Sequence, residues 1–236
     1  MKEWKIAIGE SDFKSLIEDT ECYYVDKTMF IKDVIENKSR VALITRPRRF
    51  GKTLNMSMLK YFFSIDEESR ELFKDLKIMK AGEKYTSQLN SKPVIYLTMN
   101  GMYDTSFENM INRFKLIIKR TYGEHRYLLE SEKLFEEDKK YIKDILFCEE
   151  NISVLQESIL NLALMLNKHY GKKSIVLVDE YDVPIQNAYT EGYYEEAINF
   201  FKSFYGATFK DNQNIEKTVI TGVSRVSKEG IFSRSK

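Results

Sequence analysis

Cysteine is nearly absent from this chain. Two occur in 236 residues, Cys22 and Cys148, far apart in sequence. That excludes a disulfide framework and a cysteine-built zinc site, and it is the composition expected of a reducing cytoplasm. Histidine is as scarce: His125 and His169 are too few for a histidine-based metal centre. Proline occurs three times, at Pro47, Pro93 and Pro184, each expected at a strand edge or in a loop. Net charge is nearly absent too, since 37 basic and 36 acidic side chains leave +1. No global attraction to nucleic acid or membrane follows, so any such contact must come from a local patch. No apolar run approaches the roughly 20 residues of a membrane-spanning helix. Met1-Lys2-Glu3-Trp4 leads into no signal-peptide core, and repeats and low-complexity tracts are missing.

What remains is ordinary globular material, 43% hydrophobic and 31% charged, long enough for one large domain or a domain with an insertion. It is organised around Val41 to Phe63. Val41-Ala42-Leu43-Ile44-Thr45 is a short apolar, β-branched run that reads as a buried strand. Arg46-Pro47-Arg48-Arg49-Phe50-Gly51-Lys52-Thr53 reads as a loop, and Leu54 to Phe63 carries apolar residues near helical spacing. Strand, loop ending Gly-Lys-Thr, helix is the context in which a phosphate-binding loop is expected. Backbone N–H groups of such a loop turn inward on an anion, and the helix start adds its own unpaired N–H groups and positive dipole end. Gly51 lets the backbone approach a phosphate without a Cβ in the way. Lys52 is expected to reach the β- and γ-phosphates, and the Thr53 hydroxyl to ligate Mg2+. The loop departs from the usual pattern at its first position, where Arg46 replaces glycine.

A second motif supports the first. Ser174-Ile175-Val176-Leu177-Val178 is too hydrophobic to be solvated on either face, and it ends in Asp179-Glu180-Tyr181-Asp182. An acid at the carboxyl end of a buried strand suits the Mg2+ shell, and a second carboxylate suits the orientation of water. Asp179 is the expected metal partner and Glu180 the expected general base.

Along the rest of the chain, Ser11-Asp12 is expected to cap a short helix, and Asp26 a helix running to about Glu36. That second helix precedes the loop strand and is placed to touch a nucleotide base, Asp26 with it. Further helices are expected over about 66–79, 107–122, 128–147, 152–170 and 193–205, and strands over 94–99 and 218–223. The segment 81–91 reads as a polar connector. Alternating apolar strands and helices imply an α/β fold, mostly a parallel sheet with helices on both faces. Ligands of such sheets bind at the carboxyl ends of strands. Ser224-Arg225 ends the last strand, which makes Arg225 a candidate γ-phosphate sensor or transition-state stabiliser.

The chain resembles a family of predicted bacterial and archaeal ATPases, the AAA-ATPase-like family. The resemblance is carried by SDFKSLIEDTECYYVDKTMFIKDVIE, ALITRPRRFGKTLNMSMLKYFF, LVDEYDVPIQNAY and ITGVSRVSKEGIFS, which run from Ser11 to Ser233. The family shares the arginine at the first loop position. The resemblance implies ATP as the nucleotide and an additional-strand P-loop NTPase fold with a catalytic glutamate, matching Glu180. The expected nucleotide site extends over Arg46, Pro47, Arg48, Arg49, Phe50, Gly51, Lys52, Thr53 and Leu54, with Asp26 as a further candidate. Residues 1–236 are expected to form a single P-loop ATPase domain with a helical insertion at about 105–170. Members often continue into further helices and a nuclease-like domain of the PD-(D/E)XK type, which this sequence is expected to lack together with a helical lid.

The leading functional expectation is an Mg2+-dependent ATPase acting as a conformational switch, with Lys52, Glu180 and Arg225 as its catalytic side chains. A second is a module that binds ATP, hydrolyses it weakly, and engages a partner protein, a nuclease-like domain or nucleic acid. For nucleic acid, Arg46, Arg48, Arg49, Lys38 and Arg40 would supply phosphate contacts. A small-acceptor kinase is the third, with no acceptor pocket to support it. The expected location is the cytoplasm.

Overall fold

The structure, a computed structural model, describes residues 9–147, 151–210 and 212–224. Asp12 opens the first helix, α1 (Phe13–Glu18), its carboxylate accepting the Ser15 N–H as the sequence predicts. Helix α2 (Met29–Glu36) is capped at Thr28 rather than at Asp26, so it begins two residues later than expected. The Asp26 carboxylate is taken by the N–H and hydroxyl of Thr28 and by the N–H of Lys77, so residues 26–28 form a turn before the helix. Strand β1 (Val41–Thr45) then leads through the loop into α3 (Lys52–Phe63).

The amphipathic stretch after α3 yields less helix than its pattern suggests: α4 (Arg70–Phe73) and a 3-10 turn at Lys77–Lys80. The connector before the next strand holds a helical turn of its own, α5 (Glu83–Thr86). Strand β2 (Val94–Thr98) is followed by α6 (Phe107–Glu124). The helix expected over 128–147 is broken. It begins as a 3-10 turn at Arg126–Glu130 and resumes as α7 (Glu136–Phe147). Within the gap, Ser131 Oγ accepts the Lys133 N–H, a local bond that competes with the helical one. Helix α8 (Ile152–Tyr170) has its expected bounds and ends at Gly171, which is left-handed.

Strand β3 (Ser174–Asp179) is buried along its full length. Helix α9 (Val183–Glu191) was not expected. Pro184 belongs to its first turn rather than to a loop, where a proline loses no hydrogen bond and its fixed φ is already helical. Then come α10 (Tyr194–Phe209), which runs past its expected end at 205, and β4 (Ile215–Gly222), which begins before 218 and stops one residue short of 223.

Among the described residues, four strands form one parallel sheet in the order β1-β4-β3-β2. Strand β4 thus lies between the loop strand and the acidic strand, the additional-strand arrangement of a P-loop NTPase-like fold. Alternate residues of β3 point to opposite faces. Val176 and Val178 pack with α6 to α10, while Ile175 and Leu177 pack with α1 to α5. The result is three layers, helices on both faces of the sheet; β1, expected to be buried, is half-buried along its length because it is an edge strand. Register brings the carboxyl ends level: Thr45 pairs with Gly222, Val178 with Ile220, and Thr98 with Asp179.

Candidate functional site

The loop leaves β1 tied to the neighbouring strand, the Arg46 N–H donating to the Gly222 carbonyl at 3.1 Å. Two of its residues are left-handed, Arg49 with φ 66° and Gly51 with φ 70°. Left-handed residues within a short loop bring successive N–H groups round to one side, where they form a concavity for an anion. At Gly51 this conformation carries no Cβ penalty. The Lys52 side chain is buried, and its ammonium donates to the carbonyls of Arg46 (3.1 Å) and Pro47 (3.0 Å), lying under the loop. Arg46, Pro47, Arg48, Arg49 and Phe50 are exposed along the loop, while Thr53 and Leu54 are half-buried in the first turn of α3.

The acidic pair lies at the end of β3, one strand away. Asp179 is completely buried, and Thr221 of β4 donates its hydroxyl to Asp179 Oδ1. Asp179 Oδ2 is buried without a hydrogen-bond partner among the described residues. A buried carboxylate oxygen left open is a costly arrangement unless something occupies it. Glu180 is half-buried, and its carboxyl is held above the usual glutamate range. Burial is the main cause and the neighbouring Asp179 the next, with Lys52 pulling the other way. Asp182, also completely buried, accepts through Oδ2 from the N–H groups of Val223 and Ser224 at 2.9 and 2.8 Å.

These residues fit a magnesium nucleotide. An anion cradle with a lysine beneath it adjoins, one strand over, a carboxylate with an open oxygen. Mg2+ binds through one or two carboxylates, water and substrate phosphates rather than a protein cage. Among the described residues no cluster of three or more His, Cys, Asp or Glu forms such a cage.

Beside the loop lies a cavity of about 210 Å³. Phe30, Ile44 and Met56 give it apolar walls, and Lys27, Asp33 and Asn55 give it polar ones. The helix before β1 therefore lines this cavity through Phe30 and Asp33, with Lys27 from the turn that precedes it. Asp26 is not among the lining residues, its carboxylate being spent on Thr28 and Lys77. Arg225 lies outside the described residues. The sequence reading missed Thr221 and Gly222, because an apolar strand ending in Thr-Gly carries no sign of which strand it will join. Lys27 and Asp33 could have been found from the polar positions flanking Phe30.

The chain matches the model of the predicted AAA-ATPase family over residues 7–232 and belongs to that family. It is also similar to a curated protein of Azotobacter chroococcum mcd 1, described as an uncharacterized protein in the vnfD 5′ region. The two are 26% identical over 237 residues, covering 99% of this chain and 40% of that protein. The chain thus spans about two fifths of the length of this relative. No solved structure matches it. Among the described residues no helix is long and apolar enough to cross a membrane.

Proposed function

We propose that this member of the predicted AAA-ATPase family binds ATP with Mg2+ and hydrolyses it as a conformational switch. The observation that carries this reading is the placement of Asp179 and Glu180. They stand at the carboxyl end of β3, level with the Gly51-Lys52-Thr53 loop across β4, with Asp179 Oδ2 open and Glu180 made more basic. Lys52 exchanges its two loop carbonyls for phosphate oxygens, a gain because the ammonium then faces an acceptor of opposite formal charge rather than a neutral carbonyl dipole. The loop N–H groups orient the phosphates. Thr53 and Asp179 would hold Mg2+, which when bound neutralises charge developing on the transferred phosphoryl group. Glu180 accepts the proton of the attacking water, and its raised pKa brings it nearer the range in which a base works at neutral pH. Arg225 senses the γ-phosphate. The cavity lined by Phe30, Ile44 and Met56 receives the base, with Lys27, Asp33 and Asn55 at its polar side.

The test is ATP turnover of the purified chain with Mg2+, beside Lys52→Ala and Glu180→Gln, with nucleotide affinity measured by titration. Turnover is expected in the native chain. In Glu180→Gln it should be lost while affinity survives, and in Lys52→Ala affinity should fall at least about tenfold, roughly the 1.4 kcal/mol of one charge-assisted bond. A Lys52→Ala protein that turns over ATP at the native rate overturns the assignment.

A further inference from the structure

Glu180 has φ 56°, a left-handed backbone that a residue with a long side chain keeps only where its surroundings enforce it. The surroundings here are the end of β4. The Glu180 N–H reaches Thr221 Oγ1 at 3.4 Å, and the next N–H along, that of Tyr181, donates to the Thr221 carbonyl at 3.0 Å. The Tyr181 hydroxyl donates to the Ser224 carbonyl at 3.0 Å.

Asp182 closes this clamp. One oxygen, Oδ2, accepts four donors: the N–H groups of Val223 and Ser224, the Ser224 hydroxyl at 3.2 Å, and Gln186 Nε2 at 2.6 Å. Gln186, exposed on α9, donates as well to Ser224 Oγ at 2.8 Å. The other oxygen lies against Gly222, where a Cβ would come within 2.6 Å of it and within 2.7 Å of the Tyr181 ring. The acidic turn and the end of β4 are therefore locked together on both sides of Gly222: at Thr221 before the glycine, and at Val223 and Ser224 after it.

We propose that Asp182 is a positioning residue. By holding Val223 and Ser224 it keeps Glu180 in its left-handed backbone and so fixes the direction of the Glu180 carboxylate. This rests on Glu180 acting as the base. Without Asp182 only the Thr221 contacts and the Tyr181 hydroxyl oppose the cost of that backbone, and Glu180 relaxes toward commoner conformations. The phosphate loop and Lys52 make no bond to Asp182, so nucleotide affinity is separable from this effect.

The experiment measures kcat, KM and nucleotide affinity, with thermal midpoints, for the native chain, Asp182→Ala, Asp182→Asn and Gln186→Ala. Asn keeps one acceptor oxygen for the two N–H groups, so Asp182→Asn should stay within about threefold of the native kcat. Asp182→Ala should lose at least tenfold in kcat with affinity within about threefold. Gln186→Ala, on an exposed helical position, should lose two- to fivefold in kcat with no change in affinity. If Asp182→Ala does not fold, Gln186→Ala decides: an unchanged kcat overturns the proposal. It is overturned equally if Asp182→Ala keeps its kcat, or loses kcat and affinity in parallel with its thermal midpoint. A native chain without turnover overturns the hydrolytic reading and the positioning role together, whereas a native chain that turns over beside fully active variants overturns the positioning role alone.

Discussion

The Thr221 hydroxyl donates to Asp179 Oδ1, joining two residues 42 positions apart at the level carboxyl ends of neighbouring strands. It is the hydrogen bond Asp179's carboxylate makes among the described residues, since Oδ2 has none. Removing one partner of a buried polar pair costs the full desolvation of the group left behind. Thr221→Val keeps the shape and deletes the donor. It should destabilise the chain by about 1–3 kcal/mol in urea unfolding, and Thr221→Ser, which keeps the hydroxyl, by less.

Two glycines should respond in opposite directions to alanine. At Gly222 a methyl group meets Asp182 Oδ1 and the Tyr181 ring at sub-contact distances, and both partners are fully buried. Overpacking of this kind costs about 1–3 kcal/mol. At Gly206, inside α10, a methyl group meets nothing within 4 Å. Gly206→Ala should stabilise by about 0.5–1 kcal/mol, the ordinary penalty of a helical glycine. Chemical denaturation of the two variants beside the native chain checks both signs.

Glu180 has a folded-state pKa above its ordinary value, from burial first and Asp179 second. Folding therefore favours its protonated form, and that contribution to stability is present at low pH and lost as pH rises through the raised pKa. Glu180→Gln mimics the protonated form. It should unfold at a higher midpoint than the native chain near neutral pH, with the difference closing as pH falls below the glutamate range. In the native chain the acid limb of kcat against pH should lie above the ordinary glutamate value.

His125 titrates in the other direction. Burial pushes its pKa down to about 4, with Lys60 adding to the fall and Asp66 and Glu124 opposing it. Its Nδ1 lies 3.2 Å from the Tyr127 hydroxyl, and its Nε2 is buried without a partner among the described residues. The folded state holds the neutral ring, so the unfolded chain takes up a proton first. Stability should be full above the ordinary histidine range near 6.5, fall as pH drops toward about 4, and level off below. His125→Gln, which has no such titration, should flatten that window in a series of urea melts.

Local patterns were legible from the sequence. The run Val41–Thr45, the Gly-Lys-Thr turn and the helix after it follow from apolar spacing and one glycine, and each forms from residues adjacent in the chain. The stripe of α8 and the fully apolar β3 were equally direct. Where side chains offered the backbone a competing local partner, the pattern misled. Asp26 delayed α2 by taking Thr28 and Lys77, and Ser131 interrupted the helix expected from 128. For α9, the proline in its first turn and Gly192 at its end were both visible signals.

The sequence by itself therefore determined strands β1 to β4 and the longer helices, and which residue types stand ready at strand ends: Lys52 and Thr53 after β1, Asp179 and Glu180 at the end of β3. It did not determine their neighbours. That β4 inserts between β1 and β3 depends on pairing residues far apart in the chain, a choice made by burial of both sheet faces and by no local spacing. This insertion gives Asp179 its Thr221 hydroxyl and sets Gly222 against Asp182. It also encloses Glu180 in a backbone it would not adopt alone, because the strain of one residue is offset only by contacts the whole sheet assembles.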